Sequence, residues 1–179
     1  MIMRFIGAVL AIAVIVSIAT ISALHIASPS HAEPAIIPTA STHDWKMYYN
    51  ARFSYAACYP ADIFTPQGEA LNADGQRFLA NDGAEILVFG SNNVFNQSIS
   101  DALKDAINSF GQTSSSSVTH KASQDNWFSI SGSRNNQKFF EKTFLTKNQF
   151  KTVEILYNKN TRNKYDGLTS KIISCFTAN

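Results

Sequence analysis

The sequence predicts an α+β domain: a largely antiparallel sheet with two helices. Three observations carry this. Short segments alternate apolar and polar residues between clusters of turn residues, as half-buried strands do. Two segments, 100–110 and 165–176, repeat apolar residues at helical spacing instead. The order is strands, helix, strands, helix, without the regular strand–helix alternation of a parallel sheet.

Residues 45–49 read as a short strand and Asn50-Ala51 as a turn. In 53–59, Phe53, Tyr55, Ala57 and Tyr59 share one face and Ser54, Ala56 and Cys58 the other, until Pro60 stops the strand. Residues 61–75 read as a loop, punctuated by Pro66-Gln67-Gly68 and Asp74-Gly75. A hairpin joins 76–80 to 84–90 through Asn81-Asp82-Gly83, where Asp-Gly suits positive φ. Ile86-Leu87-Val88-Phe89 is apolar on both faces, as in a central, covered strand. Ser100 is placed to cap the first helix and Gly111 to end it, with Ile99, Leu103, Ala106, Ile107 and Phe110 as the inward stripe. Strands are expected at 118–122, 127–131, 138–145 and 150–157. The final helix turns Tyr165, Leu168, Ile172, Cys175 and Phe176 inward.

The first 32 residues give the address. Arg4 precedes an uncharged apolar run, 5–27, and Ser30-His31-Ala32 forms a small-x-small exit before Glu33-Pro34. That order is a secretory signal peptide, with cleavage after Ala32. The competing reading is an uncleaved anchor through residues 5–27, since about 20 apolar residues span a bilayer. Either way, the chain beyond Ala32 is exported, to the periplasm or beyond, and membrane contact is confined to the apolar run. Residues 33–43 read as a linker and 44–179 as a single domain.

Thirteen Phe, six Tyr and two Trp supply a core. Net charge is +2, and Arg4 is the leader's only charge, so the remainder carries no general attraction for nucleic acid. Its cations gather late, at Arg134, Lys138, Lys142, Lys147, Lys151, Lys159, Arg162, Lys164 and Lys171. They read as solvated strand and turn positions or, alternatively, as a patch for an acidic partner. Cys58 and Cys175 are the only cysteines. In an oxidising compartment an isolated pair reads as one disulfide tying the first half of the domain to its last helix, the alternative being two buried thiols.

The aromatic strand at 50–60, closed by Tyr59-Pro60, with the hairpin, the mid-chain helix and the C-terminal helix ending Ile172-Ile173-Ser174-Cys175-Phe176, resembles the PsbP/Mog1/DcrB-like group of small α/β sandwiches. The resemblance spans most of 44–176. It implies a PsbP/Mog1-like sandwich and a binding or assembly role. It implies no active site to carry over, and the cysteine pair is not part of the group's pattern.

Motifs of chemistry are sparse. His43 and His120 are the histidines after the leader, and no Cys/His cluster has zinc spacing. Asn72-Ala73-Asp74-Gly75 lacks the acids of a calcium loop and reads as a turn. No Gly-x-Ser-x-Gly elbow or phosphate loop occurs. No cofactor or metal site is expected. A hydrolase would need His120, Asp125 and one of Ser129, Ser131 or Ser133 to meet in space, and a small-ligand carrier would need an aromatic-walled cavity. The leading expectation is an exported, non-enzymatic protein-binding domain of the bacterial envelope, of immunity or assembly type. Trp45, Tyr48, Tyr49 and Trp127 are the candidate partner surface, because Trp and Tyr are enriched in binding hot spots.

Overall fold

In a computed structural model, which describes residues 43–111 and 115–179, these described residues form ten strands and two α-helices: β1 (Trp45–Asn50), β2 (Tyr55–Pro60), β3 (Phe64–Glu69), β4 (Gly75–Ala80), β5 (Glu85–Asn92), α1 (Ile99–Gly111), β6 (Ser116–Gln124), β7 (Trp127–Arg134), β8 (Gln137–Thr146), β9 (Gln149–Asn158), α2 (Arg162–Cys175) and β10 (Thr177–Ala178). All pairings are antiparallel, as expected. The strands divide into two sheets, β1-β2-β10 and β3-β4-β5-β9-β8-β7-β6. The leader, the 5–27 run and the linker up to residue 42 lie outside the described residues.

Register fixes which side chains share a face. On the large sheet, Phe78, Ile86, Val88, Val153, Ile155 and Tyr157 point one way and meet Tyr55, Ala57 and Tyr59 of β2 with Tyr165, Leu168 and Ile172 of α2. The other face presents Phe128, Ile130, Phe139 and Leu156 to the stripe of α1. Both spaces are filled by rings: Tyr59 packs on Phe78 at 4.4 Å and Phe110 stacks on Phe139 at 4.1 Å between centroids. β2 is buried along its whole length. Its second face carries Cys58, bonded to Cys175 at the end of α2. The hairpin holds the other end of α2: Asp82 accepts hydrogen bonds from Lys164 (2.8 Å) and Tyr165 (2.6 Å). These bonds, the lysine's first, pull the Asp82 carboxyl down to about 2.

Four details differ from expectation. Within the stretch read as a loop, β3 pairs with β4. It left no alternation to read because only Phe64 is buried. As an edge strand it tolerates Pro66, and Gly68 at φ +87° sits in its bulge. Ser98, not Ser100, caps α1: its Oγ accepts from the Asp101 N–H and donates to the Asp101 carboxylate. The Ser-x-x-Asp spacing that allows this was present in the sequence, although Asp101 holds the Ser98 hydroxyl and not its backbone N–H. α2 begins at Arg162, after a 3₁₀ turn at Lys159–Thr161, and Phe176 has already left it with extended backbone. That exit places Thr177 and Ala178 beside β2 as β10, too short to show a pattern.

The bridge closes a separation of 117 residues, for which chain entropy gives about 5 kcal/mol, an upper figure. The double variant Cys58→Ser/Cys175→Ser is expected to lose about 2–5 kcal/mol in denaturant unfolding. A midpoint equal to wild type would show that the bridge contributes nothing to stability.

Candidate functional site

Two surfaces and one buried cluster stand out for their polar and exposed apolar groups. The first surface is the end of the molecule where the β1–β2, β3–β4, β5–α1 and β8–β9 connections meet. Hydrogen bonds join these loops. Asn50 Nδ2 donates to Ala73 O (3.0 Å), the Arg52 guanidinium to Asn72 O, Tyr55 OH to Asp74 O (2.9 Å) and Gly90 N to Asp74 O (2.8 Å). Asn93 N donates to Asn148 O (3.0 Å) and Asn179 N to Ser54 O (3.2 Å). Five non-glycine residues at this end have left-handed backbone: Ser54, Ala73, Asn96, Lys147 and Asn148. Lys147-Asn148 is explained as a two-residue hairpin turn with both φ positive. The others are single departures that sterics disfavour and the loop bonds hold in place. On these loops sit Leu71, fully exposed, Phe95, 84% exposed, and Val94, 72% exposed.

Beneath this end lies Lys151, fully buried on β9. Its ammonium donates to Thr146 Oγ1 and Asn179 O, and burial, with Lys147 nearby, lowers its pKa.

The second surface is a groove between α2 and the open face of β6–β8. One section, about 520 Å³, is lined by Ser131, Phe140, Thr169, Ser170 and Ile173. The next, about 550 Å³, adds Ser133, Lys159, Asn160 and Arg162; both share Thr119, Gly132 and Lys138. Asp166 sits in the wall, accepting from Lys138 (2.7 Å) and Tyr157 OH (2.6 Å). Lys138 above all lowers the Asp166 pKa, while burial and the Asp166 bond raise that of Tyr157. The phenol is therefore a donor and not a base, and this trio is a positioned ion pair without a nucleophile.

The buried cluster is on the α1 side of the large sheet. Glu141 and Glu154 stand opposite each other across the β8–β9 ladder. Thr143 Oγ1 donates to Glu141 Oε1 (2.9 Å), and its oxygen lies 2.8 Å from Thr152 Oγ1. Burial raises both carboxyls; for Glu154, burial and then the Glu141 charge take it from 4.5 to about 7. Among the described residues, no three His, Cys, Asp or Glu are grouped to hold a metal.

The expected aromatic surface is not brought together. Trp45 and Tyr49 share the outer face of β1 with Met47, opposite Pro60, Ala56 and Cys58. Trp45 lies under the Lys171 ammonium at 4.4 Å, and Tyr49 is 71% exposed. Tyr48 faces inward, against Phe78 and Tyr55, with its hydroxyl on Glu69 (2.7 Å). Trp127 is on the other sheet, bonded to Gln124 and covered by Lys142 at 5.1 Å. His120 stands opposite Ser131 on the β6–β7 ladder, yet among the described residues no hydrogen bond joins its ring, the Asp125 carboxylate and a serine. The Asn72–Gly75 segment is the β3–β4 turn, closed by Asn72 Nδ2 donating to Asp74 (2.6 Å).

No family model and no curated protein matches the chain. Among solved structures it is similar to cyanobacterial PsbP (CyanoP) from Synechocystis sp. PCC 6803, determined in solution. The TM-score is 0.56 at 10% identity, over 79% of this chain and 96% of that one. The chain has a PsbP-like fold. At this identity the likeness concerns the architecture alone, and the loops and groove are read from this chain's own residues.

A carboxyl whose folded pKa is raised costs no stability while it is protonated in both states. The cost grows as pH passes from its unfolded pKa toward its folded one and is complete above about 7. Stability is therefore expected to fall by up to about 3 kcal/mol between pH 4.5 and 7 through Glu154. Glu154→Gln should flatten that slope in pH-dependent unfolding; an unchanged slope would remove the assignment.

Proposed function

We propose that this chain is an exported, non-enzymatic protein-binding domain of a bacterial envelope, acting as an accessory, assembly or immunity-type factor. The observation that carries the reading is the loop end: Leu71, Val94 and Phe95 stand in solvent on hydrogen-bonded loops. Apolar side chains held out on ordered backbone mark interaction surfaces, because they expose area that only a partner covers. Three further observations support it. The 1–32 segment has the build of a signal peptide. The Cys58–Cys175 bond suits an oxidising compartment. The PsbP-like fold is compatible with a binding role. The hydrolase alternative loses its motivation because, among the described residues, no hydrogen bond links His120, Asp125 and a serine, and the carrier alternative with the ring-filled interior.

Two measurements test the proposal. N-terminal sequencing of the protein recovered from the envelope fraction is expected to begin at Glu33; an intact Met1 would favour the anchor. A photo-crosslinker replacing Phe95 is expected to trap one partner in the envelope fraction. Leu71→Asp should abolish the adduct while leaving the circular dichroism unchanged. Identical adducts with and without Leu71→Asp, or turnover on an esterase or peptidase substrate that His120→Ala removes, would overturn the reading.

A further inference from the structure

At the centre of the large sheet the acids lie on one face, which they share with Arg77, Lys121 and Arg134. β8 alternates, sending Lys138, Phe140 and Lys142 toward the α2 side and Phe139, Glu141 and Thr143 toward α1. Glu154 and Glu85 share the α1-side face with Glu141. The acids of this sheet's centre are thus withdrawn behind it, and the groove face is left cationic. Among the described residues the groove's one lining carboxylate, Asp166, is already neutralised by Lys138. Lys159 and Arg162 line the same groove and, among the described residues, close no ion pair; Arg162 only adds to the field on Asp166.

We propose that the groove between α2 and β6–β8 is a docking site for an extended acidic segment of a protein partner. Its carboxylates would meet Lys159 and Arg162, and an apolar residue would rest on Phe140 and Ile173. Charge complementarity fixes the sign of the occupant. Shape fixes its form: two sections of about 520 and 550 Å³ share three lining residues, so the site is a continuous channel longer than a single anion needs. The lining fixes its character. Ser131, Ser133, Thr119, Ser170 and Asn160 offer hydrogen bonds to a peptide backbone, and Phe140 with Ile173 offers an apolar seat beside the cations. A single-stranded nucleic acid would need aromatic platforms for successive bases. Of the rings in the channel wall, Phe139 packs toward α1 and Tyr157 is tied to Asp166, which leaves Phe140 alone among the described residues. The inference deepens the protein-binding reading and rests on it only for the class of ligand, since the groove and the loop tips are separate surfaces.

The test is fluorescence anisotropy with a labelled ten-residue peptide of glutamate, leucine and serine, at low and high salt. Its lysine counterpart, an unlabelled oligonucleotide of ten thymidines and phosphatidylglycerol vesicles serve as competing probes. The acidic peptide is expected to bind, and binding should weaken as salt screens the contacts. Lys159→Glu/Arg162→Glu should weaken it by about tenfold or more. Lys46→Glu/Lys104→Glu, which makes the same change in net charge elsewhere, should leave it unchanged, as should Leu71→Asp. Equal losses in the two charge-reversed pairs would reduce the effect to net charge and overturn the site. So would absence of peptide binding at ~1 mM, or preferential binding of the oligonucleotide or the vesicles. A loss with Leu71→Asp would move peptide binding to the loop end, which sinks the groove and leaves the partner-binding reading standing.

Discussion

Everything in this domain is arranged around the complete burial of β2. A strand in the smaller sheet has two faces to cover, and here neither reaches water. The ring side, Tyr55, Ala57 and Tyr59, packs on the larger sheet. The side carrying Cys58 needs a second cover, which α2 supplies through the bond to Cys175. α2 must therefore lie next to the small sheet, which leaves the β6–β8 part of the large sheet uncovered on that side. The groove is the result. α1 solves the converse problem by covering β6–β8 from the opposite face.

Two closely spaced polar arrangements stabilise this layering from within. Asp82 ties the hairpin to the start of α2 through both Lys164 and Tyr165, and Asp166, the next residue of the helix, ties it to β8 and β9 through Lys138 and Tyr157. Each acid is partly open to water, so each contributes alignment more than energy. Glu141 and Glu154 work against stability: two carboxyls share a face of the sheet, and the Thr143 hydroxyl bonds to Glu141. No packing reason requires glutamate at both positions.

How legible all this was depended on burial. The hairpin at Asp82-Gly83, the covered strand at Ile86–Phe89 and the cysteine pairing were readable because each leaves a local or compositional mark. β3 was not, because an edge strand with one buried residue has no period to detect. β10 was not, because two residues form a strand only when β2 is already there to receive them. The four candidate aromatics do not form one surface, for a related reason. Tyr48 and Tyr49 are neighbours in sequence and therefore face opposite sides of β1, and Trp127 belongs to another sheet. The groove depends on α2 lying over β8, a placement that no stretch of sequence states on its own.

The span of the disulfide also orders events in time. Cys58 is delivered 117 residues ahead of its partner, so its thiol waits unpaired while most of the domain is still to come. During that wait β2 lacks both the helix and the strand that close it, and the strand core is open to proteases and to other chains. Yet the chain has no other cysteine to trap that thiol wrongly. Within one molecule a single pairing exists, so an oxidant suffices and no reshuffling of bonds is required. The cost of so late a closure is exposure during delivery; its safeguard is the scarcity of sulfur.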